Sequence, residues 1–193
     1  MNIDKYWNSD RDDYSDRPKI LFQDEHIEYL KDCKRIIDLG CGTGQLVKKL
    51  KTNHKVVYGL TYNKLEVENA LTPGLAYGDM HNIPFPCGFF DGFVMWDTLE
   101  HCQSAYIALC EARRILITGG KGLIFMPGQN WLNCHCHICC YTVPQMIQLL
   151  KQSGLRLENV YEKKYPDLPN VECDGMAVYE VINDIEYKPK FDK

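Results

Sequence analysis

The chain reads as an α/β protein with a doubly wound, mostly parallel seven-stranded sheet whose last strand is antiparallel. Three observations predict this. Short β-branched apolar runs alternate with stretches of helical spacing from Ile36 to Gly154, the pattern of a parallel sheet covered on both faces. Glycine and proline punctuate the alternation. At the C-terminal end the alternation stops: two strand-like runs, 155–162 and 176–183, are separated by a loop alone and can pair antiparallel.

The elements follow in order. Residues 1–18 are polar and charged, with Tyr6-Trp7 as their large apolar pair. A helical stretch follows at about 19–31. Residues 1–34 are therefore read as an N-terminal helical segment or flap, and residues 35–193 as the body of a single domain. Tyr6-Trp7 either covers a site or docks the terminal helix on the core. Arg35 to Leu39 is an apolar run ending in glycines, a buried first strand. Gly44 to Lys51 carries Leu46, Val47 and Leu50 at helical spacing. Val56 to Leu60 is the second strand. Asn63 to Leu71 is a helix closed by Pro73-Gly74, Leu75 to Tyr77 the third strand and Gly92 to Trp96 the fourth. Ser104 to Ile117 is a long helix that Gly119-Gly120 is expected to end, and Gly122 to Met126 is the fifth strand. Val143 to Gln152 is a helix with Thr142 as N-cap and Gly154 after its end.

Composition narrows the function. The chain has 193 residues, 45% apolar and 25% charged, enough to bury a core without metal or disulfide staples. A net charge of -4 lacks the basic footprint of a general nucleic-acid binder. The acidic start carries no apolar leader, and no run reaches the ~18 apolar residues of a membrane span. A cytoplasmic protein is expected, its ten cysteines reduced.

The sharpest motif is Asp38-Leu39-Gly40-Cys41-Gly42-Thr43-Gly44, between a strand and a helix. Gly40 allows a tight turn, Gly42 lets backbone approach a ligand where a Cβ would collide, and Gly44 allows close helix packing. The spacing is G-x-G-x-G, not the G-x-G-x-x-G of dinucleotide binders, and no Gly-Lys-Ser/Thr follows as in a phosphate loop. A ligand without phosphate that carries positive charge fits such a turn, with Asp38 supplying negative charge beside it.

In these motifs the chain resembles the class I S-adenosylmethionine-dependent methyltransferases, especially the small ubiquinone-biosynthesis-like (methyltransferase type 11) group. IIDLGCGTG at 36–44 is similar to the family's first motif. Gly78-Asp79-Met80, then Ile83-Pro84-Phe85, then Phe90-Asp91 is similar to its second stretch. Trp96-Asp97-Thr98-Leu99-Glu100-His101 looks like the segment after its fourth strand, and Gly119 to Gly122 and Thr142 to Gly154 match two later segments. The resemblance implies a Rossmann-like fold and S-adenosyl-L-methionine as cofactor. It implies that Asp38, Gly40 and Gly42 surround the methionine and ribose part, with Cys41 as a small residue fitting the turn. Asp79 would accept from the adenine amino group, Met80 would pack near the ring, and Trp96 and Asp97 would line the pocket. Family members end the second strand in Asp or Glu to grip the ribose. Here Thr61 stands in that place, so Thr61 or Asn63 would hold the sugar.

Methyl transfer from a sulfonium needs alignment and exclusion of water more than acid–base work. A base is needed when the acceptor keeps its proton at neutral pH. His101 is the first candidate, its alternative role being to position the following helix. Cys134-His135-Cys136-His137-Ile138-Cys139-Cys140-Tyr141 is dense in metal-ligand types, but neighbours in a chain cannot all face one ion and no distant CxxC completes a site. No metal is expected. The stretch is read as an acceptor loop with His135 or His137 facing the pocket, or as a packed loop of small residues. The resulting expectation is a methyltransferase for a small-molecule, sugar or lipid-like acceptor, with nucleic acid disfavoured and no oligomeric state implied. The alternatives are a non-catalytic module that binds S-adenosylmethionine and an NAD-dependent oxidoreductase.

Overall fold

Ile36, Ile37 and Leu39 are wholly buried, which puts strand β1 (Arg35–Leu39) at the centre of the sheet. This is seen in a computed structural model that describes residues 24–53, 56–129, 136–163 and 176–184. In chain order the elements are α1 (Asp24–Tyr29), β1, α2 (Gln45–Leu50), β2 (Val56–Thr61), α3 (Lys64–Glu68) and β3 (Leu75–Tyr77). Then come β4 (Phe90–Trp96), a 3-10 turn (Leu99–His101), α4 (Ala105–Ile115), β5 (Leu116–Pro127), α5 (Val143–Ser153), β6 (Leu155–Lys163) and β7 (Met176–Asn183).

The seven strands lie in the order β3-β2-β1-β4-β5-β7-β6. The pairs from β3 to β5 are parallel, and β7 runs antiparallel between β5 and β6. The antiparallel strand thus lies one in from the edge, which β6 forms. Strand order reverses between β1 and β4, the switch point where open α/β sheets bind ligands at the carboxyl ends of their strands.

Two apolar layers flank the sheet. On one face Leu30, Leu46, Val47 and Leu50 pack on Val57, Val94, Trp96, Leu123 and Phe125. On the other, Ala105, Ala108, Leu109, Ala112 and Ile115 of α4, with Met146 and Leu150 of α5, pack on Ile37, Phe93, Met95, Ile124 and Tyr179. The α4 positions recur at three and four residues, the stripe of a half-buried helix. Helix α5 is stopped at both ends as expected. Thr142 and Gln145 form a reciprocal capping box, and Gly154 closes the helix at φ 83°.

Two expectations are corrected. Gly119-Gly120 does not end α4. The helix stops at Ile115, because Leu116 is buried and pairs with Phe90 of β4. Between that pair and Gly92↔Lys121, β4 advances two residues and β5 five, so 117–120 bulge out of the ladder. A Cβ on Gly120 would lie 2.9 Å from the Ile117 carbonyl oxygen, so the bulge folds back only with glycine there. Its carbonyls are held from β7: Asn183 Nδ2 donates to Leu116 O and Ile117 O, both at 3.1 Å. Helix α3 is also shorter than the expected 63–71. Leu65 and Leu71 are exposed, so no apolar face holds a last turn, and the Leu71 N–H instead donates to Thr43 O at 2.9 Å.

No disulfide joins the eight cysteines among the described residues. Burial pushes the thiols of Cys33 and Cys102 up to about 12, as for small core residues. Among the described residues no helix is long and apolar enough to cross a membrane. The N-terminal residues 1–23, with Tyr6-Trp7, lie outside the described residues.

Candidate active site

The glycine turn leaves β1 and is tied to β2: the N–H groups of Gly40 and Cys41 both donate to Leu60 O, at 2.8 and 3.0 Å. Its glycines do different work. Gly40, at φ 85°, has no room for a Cβ, which would stand 2.1 Å from Thr98 Cγ2. The turn after β1 is thereby pressed against the segment after β4. Gly42, at φ 53°, has no described atom within 4 Å of where its Cβ would be. It is the glycine that borders open space, and a cradle of bare main chain suited to a ligand begins there. Cys41 turns its side chain inward against Gly59 and Val47, so what it offers a ligand is backbone.

Asp38 lies at the base of this turn and is buried. Burial pushes its carboxyl up to about 7, since a carboxylate in an apolar setting is costly until a cation joins it. At the end of β2 the Thr61 hydroxyl donates to Glu66 Oε2 of α3 and accepts from the Asn63 N–H at 3.2 Å. Asn63 Oδ1 caps α3 by accepting from Leu65 N–H at 3.0 Å. Glu66, a largely buried acid, stands behind Thr61. Sequence reading missed it. The signal was a glutamate five residues on, in the first turn of the next helix.

Asp79 follows β3. Its Oδ1 accepts from the His81 N–H at 2.8 Å and from the His81 ring at 2.7 Å. Because His81 Nε2 accepts from the Ser104 N–H at 3.1 Å, the ring proton is on Nδ1. Partial burial raises the Asp79 carboxyl, but the hydrogen bonds from His81 outweigh it and hold the group below the usual carboxylate range. Met80 is half-buried against the core. Trp96 is mostly core as well, its ring stacked on Phe125 at 4.0 Å between centroids. Asp97 has φ 43°, the one positive φ outside glycine among the described residues. Such backbone is costly and clusters at functional sites.

Beyond Asp97 the chain makes the 3-10 turn, and the loop after β5 folds back on it. The N–H groups of Ile138 and Cys139 both donate to Glu100 O, at 2.8 and 3.2 Å. His101 Nδ1 meets Cys136 O at 2.8 Å, and the rings of His101 and His137 stand 5.0 Å apart. Glu100 is buried, with Oε1 at 3.9 Å from His101 Nε2 and 4.0 Å from His137 Nε2. Two of the expected histidines are thus brought together around one carboxylate. His135, the third, lies outside the described residues.

The strand order, with a bare glycine turn and a buried acid at the end of β1, is the fold shared with solved S-adenosylmethionine-dependent methyltransferases. Residues 37–124 match the family model described as "Methyltransferase domain". The chain is similar to the O-methyltransferase rstn1 of Aspergillus nomiae, at 27% identity over 46% of this chain and 44% of that protein. It is similar to 27-O-demethylrifamycin SV methyltransferase of Amycolatopsis mediterranei, at 28% over 45% and 36%. It thus spans less than half the length of either. Among solved structures it superimposes, with a TM-score of 0.75 and 15% identity over 94% of this chain and 97% of the other, on a chain of the complex between the Haloferax volcanii Trm112 methyltransferase activator and a methyltransferase.

Proposed function

We propose that the chain transfers a methyl group from S-adenosylmethionine to a hydroxyl of a small-molecule, sugar or lipid-like acceptor. The observation that carries this is Gly42, whose missing side chain opens main chain to the crevice beside the buried acid Asp38. Asp38 balances the positive charge of the methionine half. Glu66, through Thr61, and Asn63 hold the ribose side, while Asp79 and Met80 border the base. When bound, the cofactor supplies an electrophilic methyl on a positively charged sulfur.

His101 and His137 face the acceptor, and the proton it gives up is held by an imidazole beside Glu100. An acid next to an imidazole favours its protonated form and fixes its orientation. The relatives named above methylate oxygen by their names, which supports a hydroxyl acceptor. Residues 35–193 are assigned to the catalytic domain, and Leu30 and Cys33 of the segment before it pack on the sheet face.

The test is Gly42→Val followed by calorimetry. No described atom lies within 4 Å of the new Cβ, so the fold should survive apart from a strain of roughly 1–3 kcal/mol for leaving glycine at positive φ. Cofactor binding should be lost. Unchanged affinity would remove the turn from the site, and binding of NADH in its place would point to a redox enzyme.

A further inference from the structure

We propose that His101, Cys136 and His137 form a binding site for one divalent transition-metal ion of the zinc class. The site's existence rests on the side-chain cluster alone; its role toward an acceptor rests on the methyl-transfer reading above. One ligand atom from each of the three residues lies within 4.8 Å of the others. Tetrahedral ligands with bonds of about 2.0–2.3 Å to zinc sit roughly 3.3–3.8 Å apart, so the cluster needs to close by about an ångström.

Local sequence argued against this site, since Cys136 and His137 are adjacent and no second cysteine pair exists to complete them. The fold supplies the distant ligand instead. His101 comes from the turn after β4, and the loop after β5 is stapled over it by the two bonds to Glu100 O. Ligands from two separated segments are what a zinc site requires.

The surroundings fit an ion. His101 Nδ1 carries its proton to Cys136 O at 2.8 Å, which leaves Nε2 with its lone pair for the metal. This is the usual arrangement of a ligating histidine, whose other nitrogen is fixed by a carbonyl or carboxylate. His137 has Cys140 Sγ at 3.8 Å from Nδ1 and Glu100 Oε1 at 4.0 Å from Nε2. One thiolate and one buried carboxylate balance a doubly charged ion. Thiolate and imidazole together select zinc, cobalt or copper over magnesium. His101 and His137 keep 17% and 9% of their side-chain exposure, so the cluster is not sealed from solvent, and three protein ligands leave a tetrahedral ion a fourth position.

The cluster is also close to the cofactor turn in the chain of contacts. His101 N–H donates to Thr98 O at 3.0 Å, and Thr98 is the residue pressed on Gly40. A hydroxyl bound at the open position gives up its proton more readily. With both imidazoles on the ion, Glu100 would replace them as the group that takes the proton, the electrons of the O–H bond staying on oxygen.

The experiment uses the whole chain, stripped with a chelator and titrated with zinc against a chromophoric competitor, then with cobalt. The expected result is one tight equivalent. Cobalt should give tetrahedral visible bands with a thiolate charge-transfer band. His101→Ala should weaken zinc about a hundredfold or more, since even the partners of ligands are worth about 10–100-fold. Cys136→Ser should abolish the charge-transfer band, and Cys87→Ser, at an exposed cysteine elsewhere, should change nothing. If either ligand variant misfolds, X-ray absorption of the zinc-loaded wild type decides, with one sulfur and the rest nitrogen or oxygen expected. No tight equivalent, a tight equivalent retained in His101→Ala, or several sulfurs around zinc would overturn the site. Calorimetry with S-adenosylmethionine on the same stripped protein reads the methyl-transfer assignment separately. Cofactor binding without zinc binding sinks the metal alone, and zinc binding without cofactor binding sinks the enzyme reading alone.

Discussion

Asp38 and Glu66 place acid on either side of the glycine turn, and each carries its own prediction. The folded pKa of Asp38, about 7, is raised well above the ~3.9 of a free aspartate. A cationic ligand binds the ionised form. Cofactor affinity should therefore be flat above pH 8 and fall toward tenfold per unit below about 7, read by calorimetry at pH 8, 7 and 6. Stability has the opposite sign. The folded state holds the extra proton, so the contribution is full below pH ~3.9 and is lost as pH rises through about 7. An affinity independent of pH between 8 and 6 would remove Asp38 from the cofactor's charge balance. Glu66 acts through position: Thr61 already gives its hydroxyl proton to it. Glu66→Gln should weaken the cofactor roughly ten- to a hundredfold, the equivalent of one lost charge-assisted hydrogen bond of about 1.5–3 kcal/mol, and should weaken adenosine equally if the contact is to ribose.

Among elements, β5 with its bulge shows how tertiary pairing overrides local signals. Asn183 reaches from β7 to carbonyls at the end of α4 and in the bulge. Asn183→Leu leaves the buried Leu116 carbonyl without its donor, at about 1–3 kcal/mol, and takes a second bond from the partly buried Ile117 carbonyl. A lower denaturation midpoint with unchanged slope is expected in urea; an unchanged midpoint would mean that the bulge holds itself. The sequence suggested that Gly119-Gly120 ends a helix, because helix-then-glycine is the common case. What decided otherwise was Leu116, whose burial and pairing with Phe90 are long-range. The same division runs through the rest. The strand from Arg35 to Leu39, the cap at Thr142 and the turn at Gly42 were legible because each is set by local residue types. Glu66 and the pairing of His101 with the 136–140 loop were not, because helix register and loop closure bring them into place. The positions of Trp96 and Cys41 were legible only as places in a motif. Their side chains turn to the core because Phe125 and Gly59 make room there.

At the scale of the whole molecule, the crevice lies where the two halves of the sheet diverge, so a ligand there bridges the turn after β1 and the segment after β4. Those strands are the centre of both apolar layers, and contact with a ligand at their ends is lost only when the layers come apart. Binding should therefore raise global stability by simple mass action. At a cofactor concentration of 100 times the dissociation constant the gain is about 2.7 kcal/mol. For a chain of 193 residues, at roughly 2–4 °C per kcal/mol, the melting temperature should rise by about 5–10 °C with S-adenosylmethionine. Gly42→Val should melt roughly 2–12 °C below the ligand-free wild type, from its strain of about 1–3 kcal/mol, and show no rise with the cofactor. A rise of equal size in that variant would place the ligand elsewhere on the fold. A rise with NADH but none with S-adenosylmethionine would mean that the crevice holds a dinucleotide.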